Sequence, residues 1–442
     1  LINDILGGGY IVSWCVGHLI QMASPSAYDE KYGKWRLEDL PIIPSKYKYE
    51  VVKATRGQFN TLKKLMNSKE IEAVINACDA GREGELIFRL VYEQVSCKKN
   101  IKRLWISSME DVAIKEGFKQ LKDGKEYEAL YQSALARSKA DWLVGMNMSR
   151  LYSLIYNQNY SVGRVQTQTL FMIVKRDDEI TAFKKEKYYT GELYCTGFTL
   201  STDRIDSLEI VEDLVNVVGN KITVRNVEKK EKLTKPDLPF DLTTLQRECN
   251  KYFGYSAKQT LDYAQSLYEK KMITYPRTDS RYLSKDMIIK TINNILGKND
   301  FDTERIKVIF NSAKVTDHHA IIPTVSSLEE DMSTIPESER KIYSLILNKL
   351  HASAGYPLIE NITKIVAVYE SQGDVFEFKA SGKVIIDEGF AKYLKQYGSK
   401  KNEDVVLPDL NVGDVLEIKD KEIKEKYTTP PKHFTEVIFY EV

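Results

Sequence analysis

The first residues that could do chemistry form an acidic turn, DAGREGE at positions 79–85, with three carboxylates. Apolar, β-branched residues at Ile71–Ala77 predict a strand before the turn, and apolar spacing from Gly84 predicts a helix after it. Parallel α/β sheets carry their chemistry at this carboxyl edge. Hard carboxylate oxygens suit Mg²⁺, which keeps several waters and bridges to phosphate. The alternative is a solvated turn whose glutamate complements the helix dipole.

A second cluster, Ile273–Ser280, surrounds a tyrosine with an arginine and short polar side chains. A phenol has a pKa of about 10, so a tyrosine that attacks phosphate near neutral pH needs a cation to help it ionise. Arg277 stays charged and matches phosphate oxygens. We therefore expect Arg277 to lower the pKa of Tyr275. The alternative is an ordinary helix N-cap at Asp279 or Ser280.

Residues 137–187 combine cations with aromatic side chains. The stretch has nine lysines and arginines against five acidic residues, and it includes three tyrosines. Single-stranded nucleic acid is bound by charge neutralisation together with base stacking, whereas a plain solvated surface is the alternative. Within this stretch, Ser161–Thr167 places Arg164 and Gln166 around a glycine, which predicts a phosphate-binding turn.

A third polar cluster, Asp317–Ala320, contains two adjacent histidines. Adjacent side chains point apart, so we do not expect this pair alone to chelate a metal. A single histidine that donates to phosphate or acts as an acid is the favoured interpretation.

These clusters need a scaffold, and 442 residues are enough for two to four domains. The composition, 43% hydrophobic and 29% charged, excludes wholesale disorder and a small disulfide scaffold. Five scattered cysteines favour a reducing cytoplasm, and the apolar stretches are too short to span a bilayer. The net charge is only +1, so any nucleic-acid surface must be a local cluster.

The hydrophobic patterns predict the element order α/β, α, β, α, β. The predicted segments are α/β over 1–110 with a further strand at Tyr10–Val16, helices over 110–185, strands over 187–230, helices over 245–350, strands over 362–395 and a short hairpin from Asn411.

Taken together, the motifs resemble the type IA DNA topoisomerases, most closely the bacterial topoisomerase III branch. The acidic turn resembles the Toprim motif of that family, and Tyr275 lies in a segment that resembles its active-site motif. The other matching segments are, in chain order, Lys34–Pro41, Ala140–Arg150, Ser161–Leu170, Phe240–Gln246 with Ser256–Glu269, and Asp317–Thr324.

The resemblance implies a multidomain fold, α/β plus α plus β, that forms a toroid with a central hole. The implied parts are a Toprim domain at 1–110 without its first strand, a helical DNA-binding domain at 111–186 rejoined by about 336–358 and 425–442, a β-rich arch at 187–239 and 359–424, and a mobile domain with the tyrosine at 240–335.

The resemblance also implies a reaction. Tyr275 would cleave single-stranded or underwound duplex DNA through a 5′-phosphotyrosine, let a strand pass and religate, which relaxes negative supercoils or decatenates. No ATP would be needed, in line with the absence of a GxxxxGK[ST] motif. The implied site residues are Tyr275, Arg277 and His318 for catalysis, Asp79 and Glu83 for Mg²⁺, and Arg137, Arg164, Gln166, Thr278 and Asp279 for DNA.

Three features depart from the family pattern. Gly81 occupies the middle of the Asp-x-Asp-x-Glu triad, which predicts altered metal affinity, with Glu85 as a possible substitute. The chain starts at Leu1, after the strand that carries a catalytic glutamate in the family, and stops at Val442, so we expect a piece of a larger protein. The expected partner is DNA, and no membrane is expected to take part. The protein is expected in the cytoplasm, associated with the nucleoid. The sequence does not determine whether a helicase is a further partner.

Two other functions fit parts of the sequence. A Toprim nuclease would use the acidic turn alone, and it would have no need of a tyrosine. A catalytically impaired remnant would bind single-stranded DNA without changing its topology.

Overall fold

The structure is a computed structural model that describes residues 5–107, 109–284, 289–297, 301–315, 317–398 and 406–435. Its N-terminal region is an α/β unit. The elements of this unit are β1 (Ile20–Met22), β2 (Tyr49–Val51), α1 (Arg56–Met66), β3 (Ala73–Asn76), α2 (Arg82–Gln94), β4 (Asn100–Arg103), α3 (Asp111–Lys119) and β5 (Lys122–Asp123). Strands β3 and β4 are parallel and joined through α2, and β5 is antiparallel to β4.

The strand–turn–helix predicted around the acidic turn is therefore confirmed. Leu86, Leu90 and Val91 project from one face of α2 into a core that includes Phe59 and Leu62 of α1. This burial fixes the first turn of α2 against the end of β3.

The predicted strand at Tyr10–Val16 is wrong. These residues, all within the described part of the chain, form no strand, and the side chains of Ile11, Trp14 and Val16 are mostly exposed. Apolar and β-branched composition makes a strand favourable, but the strand forms only where a neighbouring strand supplies hydrogen bonds.

The helices predicted over 110–185 are confirmed as α3, α4 (Glu128–Tyr156) and α5 (Gln166–Ala182). Helix α4 has 29 residues and ends at Asn157, whose φ of 49° is left-handed. The turn that follows folds back along α4. Two serines of the helix hold it, because Ser153 Oγ accepts from the N–H of Tyr160 and Ser149 Oγ from that of Val162, both at 2.9 Å.

Seven strands form one antiparallel sheet. They are β6 (Lys187–Cys195), β7 (Phe198–Ser201), β8 (Lys221–Thr234), β9 (Leu358–Ser371), β10 (Asp374–Asp387), β11 (Val415–Glu417) and β12 (Asp420–Tyr427), with α6 (Leu208–Val217) between β7 and β8. Their order across the sheet is β11-β8-β9-β10-β7-β6-β12.

The sheet must curl, because β11 and β12 lie at its opposite edges although only Ile418 and Lys419 separate them. Two linking residues span no more than about 10 Å, so the two edges come close together. The N–H of Ile418 donates to the carbonyl of Asn220 and that of Lys419 to Tyr194, both at 2.9 Å. The predicted hairpin from Asn411 is wrong for this reason: each strand pairs with a different neighbour.

A second helical region carries the tyrosine. Its helices are α7 (Leu242–Phe253), α8 (Ala257–Glu269), α9 (Ile289–Leu296), α10 (Thr303–Ile309) and α11 (Glu337–Ala354). After α8 the chain is extended and pairs with residues 318–324: Ile273 bridges to Pro323, and the N–H of Thr274 donates to Ile322 at 2.9 Å. The tyrosine motif and the histidine motif are thus neighbours.

Substitution of Gly84 tests how tightly α2 approaches the acidic turn. A Cβ at this position would lie 2.1 Å from the carbonyl oxygen of Asp79, so we expect Gly84→Ala to lower the free energy of unfolding by about 1–3 kcal/mol. Gly57→Ala in α1 is the matched control: nothing lies within 4 Å of its Cβ, and removal of a helical glycine stabilises by about 0.5–1 kcal/mol. Urea denaturation measures both, and equal effects would contradict the close approach.

Candidate active site

The hydroxyl of Tyr275 lies directly on the acidic turn. It donates a hydrogen bond of 2.6 Å to Asp79 Oδ2, across 196 residues of sequence. The backbone N–H of Tyr275 donates to the carbonyl of Ser107 at 3.0 Å. The α/β unit therefore holds the tyrosine at both its side chain and its backbone, and the tyrosine is 6% exposed.

The prediction that Arg277 lowers the pKa of Tyr275 is confirmed in its direction, but other effects outweigh it in this arrangement. Burial, followed by the hydrogen bond to Asp79 and its negative charge, raises the pKa of Tyr275 well above its usual value. Arg277 does lower that pKa, as expected, but it is itself exposed and its effect is outweighed. Tyr275 is consequently a protonated donor in this closed arrangement.

His318 packs against the ring of Tyr275, with 4.4 Å between the ring centroids. Its Nδ1 is 3.0 Å from Ser107 Oγ, so Ser107 contacts both the tyrosine backbone and the histidine ring. The Nε2 atom is buried and makes no hydrogen bond within the described part of the chain. An orphaned ring nitrogen beside Tyr275 is suited to contact a bound phosphate.

Burial lowers the pKa of His318 from its ordinary value to about 4, and the positive charge of Arg103 adds to this effect. The backbone of Ala80 and the charge of Asp79 act in the opposite direction but do not outweigh burial. His318 is therefore neutral near pH 7, and it can offer a hydrogen bond without bringing a charge.

The suggestion that Glu85 substitutes for the acid missing at position 81 is wrong. Glu85 is fully buried: Oε1 accepts from Arg89 at 2.9 Å, and Oε2 accepts from Asn76 at 2.8 Å and lies 3.2 Å from Arg103 Nε. Both oxygens are thus in use. Arg103 in turn donates to the carbonyl of Asp79 at 2.6 Å, so this buried ion pair holds the acidic turn in place.

Two carboxylates remain for a metal. Asp79 and Glu83 are both exposed, and Glu83 lies 3.4 Å from His18 Nε2. Within the described residues, no three His, Cys, Asp or Glu side chains are placed to hold a metal ion by themselves. One or two carboxylates completed by water and phosphate is the usual protein site for Mg²⁺. The donor set fits that ion.

A cleft of about 480 Å³ lies beside His18 and close to the acidic turn. Tyr49, Ser138 and Trp142 are part of its lining. Aromatic walls with a few polar groups are typical of a site for a planar ligand.

Three of the predicted DNA-binding residues lie together on the α4–α5 side. Arg164 Nε is 2.9 Å from Asp141 Oδ1, and Arg137 Nε is 4.0 Å from the other oxygen of that carboxylate. Gln166 Nε2 donates to Ser161 Oγ at 2.8 Å. All three predicted side chains are accessible at a surface, where they can contact a ligand.

Thr278 and Asp279 differ from each other in placement. Thr278 is 6% exposed, and its hydroxyl donates to the carbonyl of His318 at 2.9 Å. In this arrangement its polar group stabilises the histidine segment, and the contact of Thr278 with DNA stays a prediction. Asp279 is exposed.

Local sequence patterns do not predict four residues that shape the site: His18, Arg103, Trp105 and Ser107. Trp105 Nε1 donates to the carbonyl of Asp317 at 3.2 Å. The residues that they contact lie far away in the sequence: Glu83 for His18, Glu85 for Arg103, Asp317 for Trp105, and Tyr275 with His318 for Ser107. The break at Gly17-His18 in an otherwise apolar segment was the only local signal.

Comparisons with known proteins agree with this geometry. Residues 125–438 match the family model described as DNA topoisomerase, and residues 2–109 match the Toprim domain. The chain therefore belongs to the DNA topoisomerase family, and the resemblance drawn from the motifs is confirmed.

The chain is similar to two curated proteins named DNA topoisomerase 3. It is 40% identical to that of Bacillus subtilis (strain 168), over 97% of this chain and 62% of the relative. Identity is also 40% with that of Staphylococcus haemolyticus, over 97% of this chain and 61% of the relative. The chain thus spans about three fifths of the length of these relatives.

A solved structure shares the fold. Full-length topoisomerase I from Thermotoga maritima superposes with a TM-score of 0.76 and 25% identity, over 100% of this chain and 72% of that protein. The expected fold class, a Toprim α/β domain with helical parts and a curled β-sheet in the type IA toroid, is confirmed. Among the described residues, no helix is long and apolar enough to cross a membrane.

The low pKa of His318 predicts a stability change in acid. Below pH 6.5 the unfolded chain binds a proton at this histidine, whereas the folded chain does so only near pH 4. The contribution of His318 to folding is therefore present above pH 6.5 and lost as the pH falls. From pH 7 to 4.5 we expect the wild type to lose about 2 kcal/mol more stability than His318→Gln, measured by urea denaturation. Equal losses would contradict the shift, because all other groups titrate in both proteins.

Proposed function

We propose that this chain is the catalytic part of an ATP-independent type IA DNA topoisomerase. It cleaves one strand of single-stranded or underwound DNA through a 5′-phosphotyrosine at Tyr275, allows another strand to pass, and religates. The observation that carries the proposal is the 2.6 Å contact between Tyr275 and Asp79, which places a nucleophile on a carboxylate turn. A Toprim nuclease would leave this contact without a role.

The residues around Tyr275 have distinct tasks in this reaction. The phenol oxygen attacks the phosphorus, so that a P–O bond to Tyr275 replaces the P–O bond to the 3′ oxygen of the neighbouring nucleotide, which leaves and takes up a proton from solvent. Asp79 is the acceptor already in contact with the phenol proton. Arg277, exposed beside the tyrosine, neutralises the phosphate and the developing phenolate. The orphaned Nε2 of His318 donates a hydrogen bond to a phosphate oxygen.

Asp79 and Glu83 would hold Mg²⁺ next to the phosphate. When bound, the ion offsets the negative charge that develops during the transfer. Because one phosphoester replaces another in each direction, the chain needs no external energy source to reseal the strand.

DNA reaches the tyrosine along the N-terminal and α4–α5 side in this proposal. Arg137, Arg164 and Gln166 contact the DNA backbone, and the cleft with Tyr49 and Trp142 accepts a base.

We propose the domain division given above: Toprim at 1–110, helical at 111–186, arch at 187–239 and 359–424, mobile at 240–335, with about 336–358 and 425–442 returning to the helical domain. We place the enzyme in the cytoplasm, on nucleoid DNA.

An adduct experiment tests the nucleophile. A single-stranded oligonucleotide labelled at its 3′ end is incubated with the chain and Mg²⁺ and then denatured. We expect labelled protein with the wild type and at least a thousand-fold less with Tyr275→Phe, since the attacking oxygen is removed.

Tyr268→Phe is the matched control for this change. Its ring lies 5.2 Å from that of Tyr275 and is similarly buried, whereas the hydrogen bond to Asp79 is made by Tyr275. We expect Tyr268→Phe to retain adduct formation within about three-fold. An adduct that persists in Tyr275→Phe would overturn the assignment.

A further inference from the structure

The middle of the acidic turn has no side chain, but a carboxylate from the other half of the chain stands beside it. A Cβ on Gly81 would lie 3.7 Å from Asp317 Oδ2, and this is the one neighbouring atom found within 4 Å in the described residues. Asp317 therefore occupies the surroundings of position 81, where a third acidic side chain would project.

Two contacts from the α/β unit fix this part of the chain. The carbonyl of Asp317 accepts from Trp105 Nε1 at 3.2 Å, and the next residue, His318, is bound to Ser107 at 3.0 Å. Asp317 is exposed, yet partial desolvation, followed by the charge of Asp279, raises the pKa of its carboxyl, with Arg82 acting in the opposite direction. A cation beside this carboxylate would offset both effects.

A separate observation points to a missing ligand at the same edge. The Nε2 atom of His318, adjacent in sequence to Asp317, is buried without a hydrogen-bond partner in the described chain. Buried ring nitrogens are rarely left in this way unless an ion, water or substrate completes them.

We propose that Asp317 supplies the third carboxylate of the divalent-cation site, in place of the side chain that position 81 lacks. The inference rests on the proposed function, because the cation is the one assigned to Asp79 and Glu83. Asp317 acts through the water shell of the cation, since no three carboxylates are placed for direct coordination among the described residues. Mg²⁺ retains several waters in protein sites, so a charge at this distance still contributes to affinity.

The test measures cation binding without DNA. Mn²⁺ is titrated into the full 442-residue chain, and the electron paramagnetic resonance signal of free Mn²⁺ reports the dissociation constant. The variants are Asp317→Asn, which keeps the shape and the backbone contact with Trp105, Gly81→Asp, and the double variant. Gly81 is extended, with φ of 175°, so any residue can adopt its conformation.

We expect Asp317→Asn to weaken Mn²⁺ binding about ten-fold. A divalent cation and the single negative charge of Asp317, about 6 Å apart in a water-like dielectric, attract each other with an energy that corresponds to this ten-fold change in affinity. Gly81→Asp should restore the affinity in the Asp317→Asn background to within about three-fold of the wild type. The matched control is Glu304→Gln, which removes an exposed charge paired with Lys307 and should leave the affinity unchanged.

Each of three results would overturn the inference. Asp317→Asn could bind Mn²⁺ as tightly as the wild type, Gly81→Asp could fail to restore the affinity lost in Asp317→Asn, or Glu304→Gln could lose as much affinity as Asp317→Asn. Circular dichroism of each variant separates these outcomes from misfolding. Adduct formation by Tyr275 is measured separately, so a chain that binds Mn²⁺ as expected but forms no adduct would reject the proposed function and leave the inference standing.

Discussion

The hydrogen bond between Tyr275 and Asp79 is the interaction on which the rest of the site depends. It joins two parts of the chain that fold around different cores, one in the α/β unit and one around α7, α8 and α11. Neither part contains a complete site. The acidic turn lacks the proposed nucleophile, and the tyrosine segment lacks the carboxylate that the Tyr275 hydroxyl contacts. Chemistry at this position therefore requires that the two parts meet.

The same contact sets the protonation state of the tyrosine. A buried phenol beside a carboxylate keeps its proton, because ionisation would place two negative charges together without water. A cation bound to Asp79 would favour ionisation of Tyr275, because it reduces the repulsion between the phenolate and the carboxylate. It would also offset the charge of a bound phosphate. In the closed arrangement Tyr275 is thus held in place and protonated, which would be a resting state for the nucleophile proposed above.

Sequence patterns found the local parts of this site and missed the relations between them. Strand β3, helix α2 and the Tyr275 segment follow from hydrophobic spacing and motif chemistry that are contained within a few residues. The net rise in the pKa of Tyr275 does not follow from the local sequence, because its causes, burial and then Asp79 at 196 residues' distance, are set by the fold. Glu85 could have been recognised as structural, since Arg89 lies four residues later on the same helix face. The curl of the sheet depends on pairing between distant strands, which alternation alone does not specify.

The contacts between the two parts are mostly polar, and this has a consequence for motion. Ser107 binds His318, Trp105 binds the carbonyl of Asp317, and Lys271 pairs with Asp111, while Met109 packs against the core around Tyr275. When the two parts separate, their polar groups form hydrogen bonds with water instead. Each polar contact therefore contributes only about 0.5–1.5 kcal/mol to the free energy that holds the parts together. The large apolar cores stay within each part and are not exposed by separation. A site assembled in this way can open and close without unfolding either part, which is the mechanical property that the proposed strand passage requires.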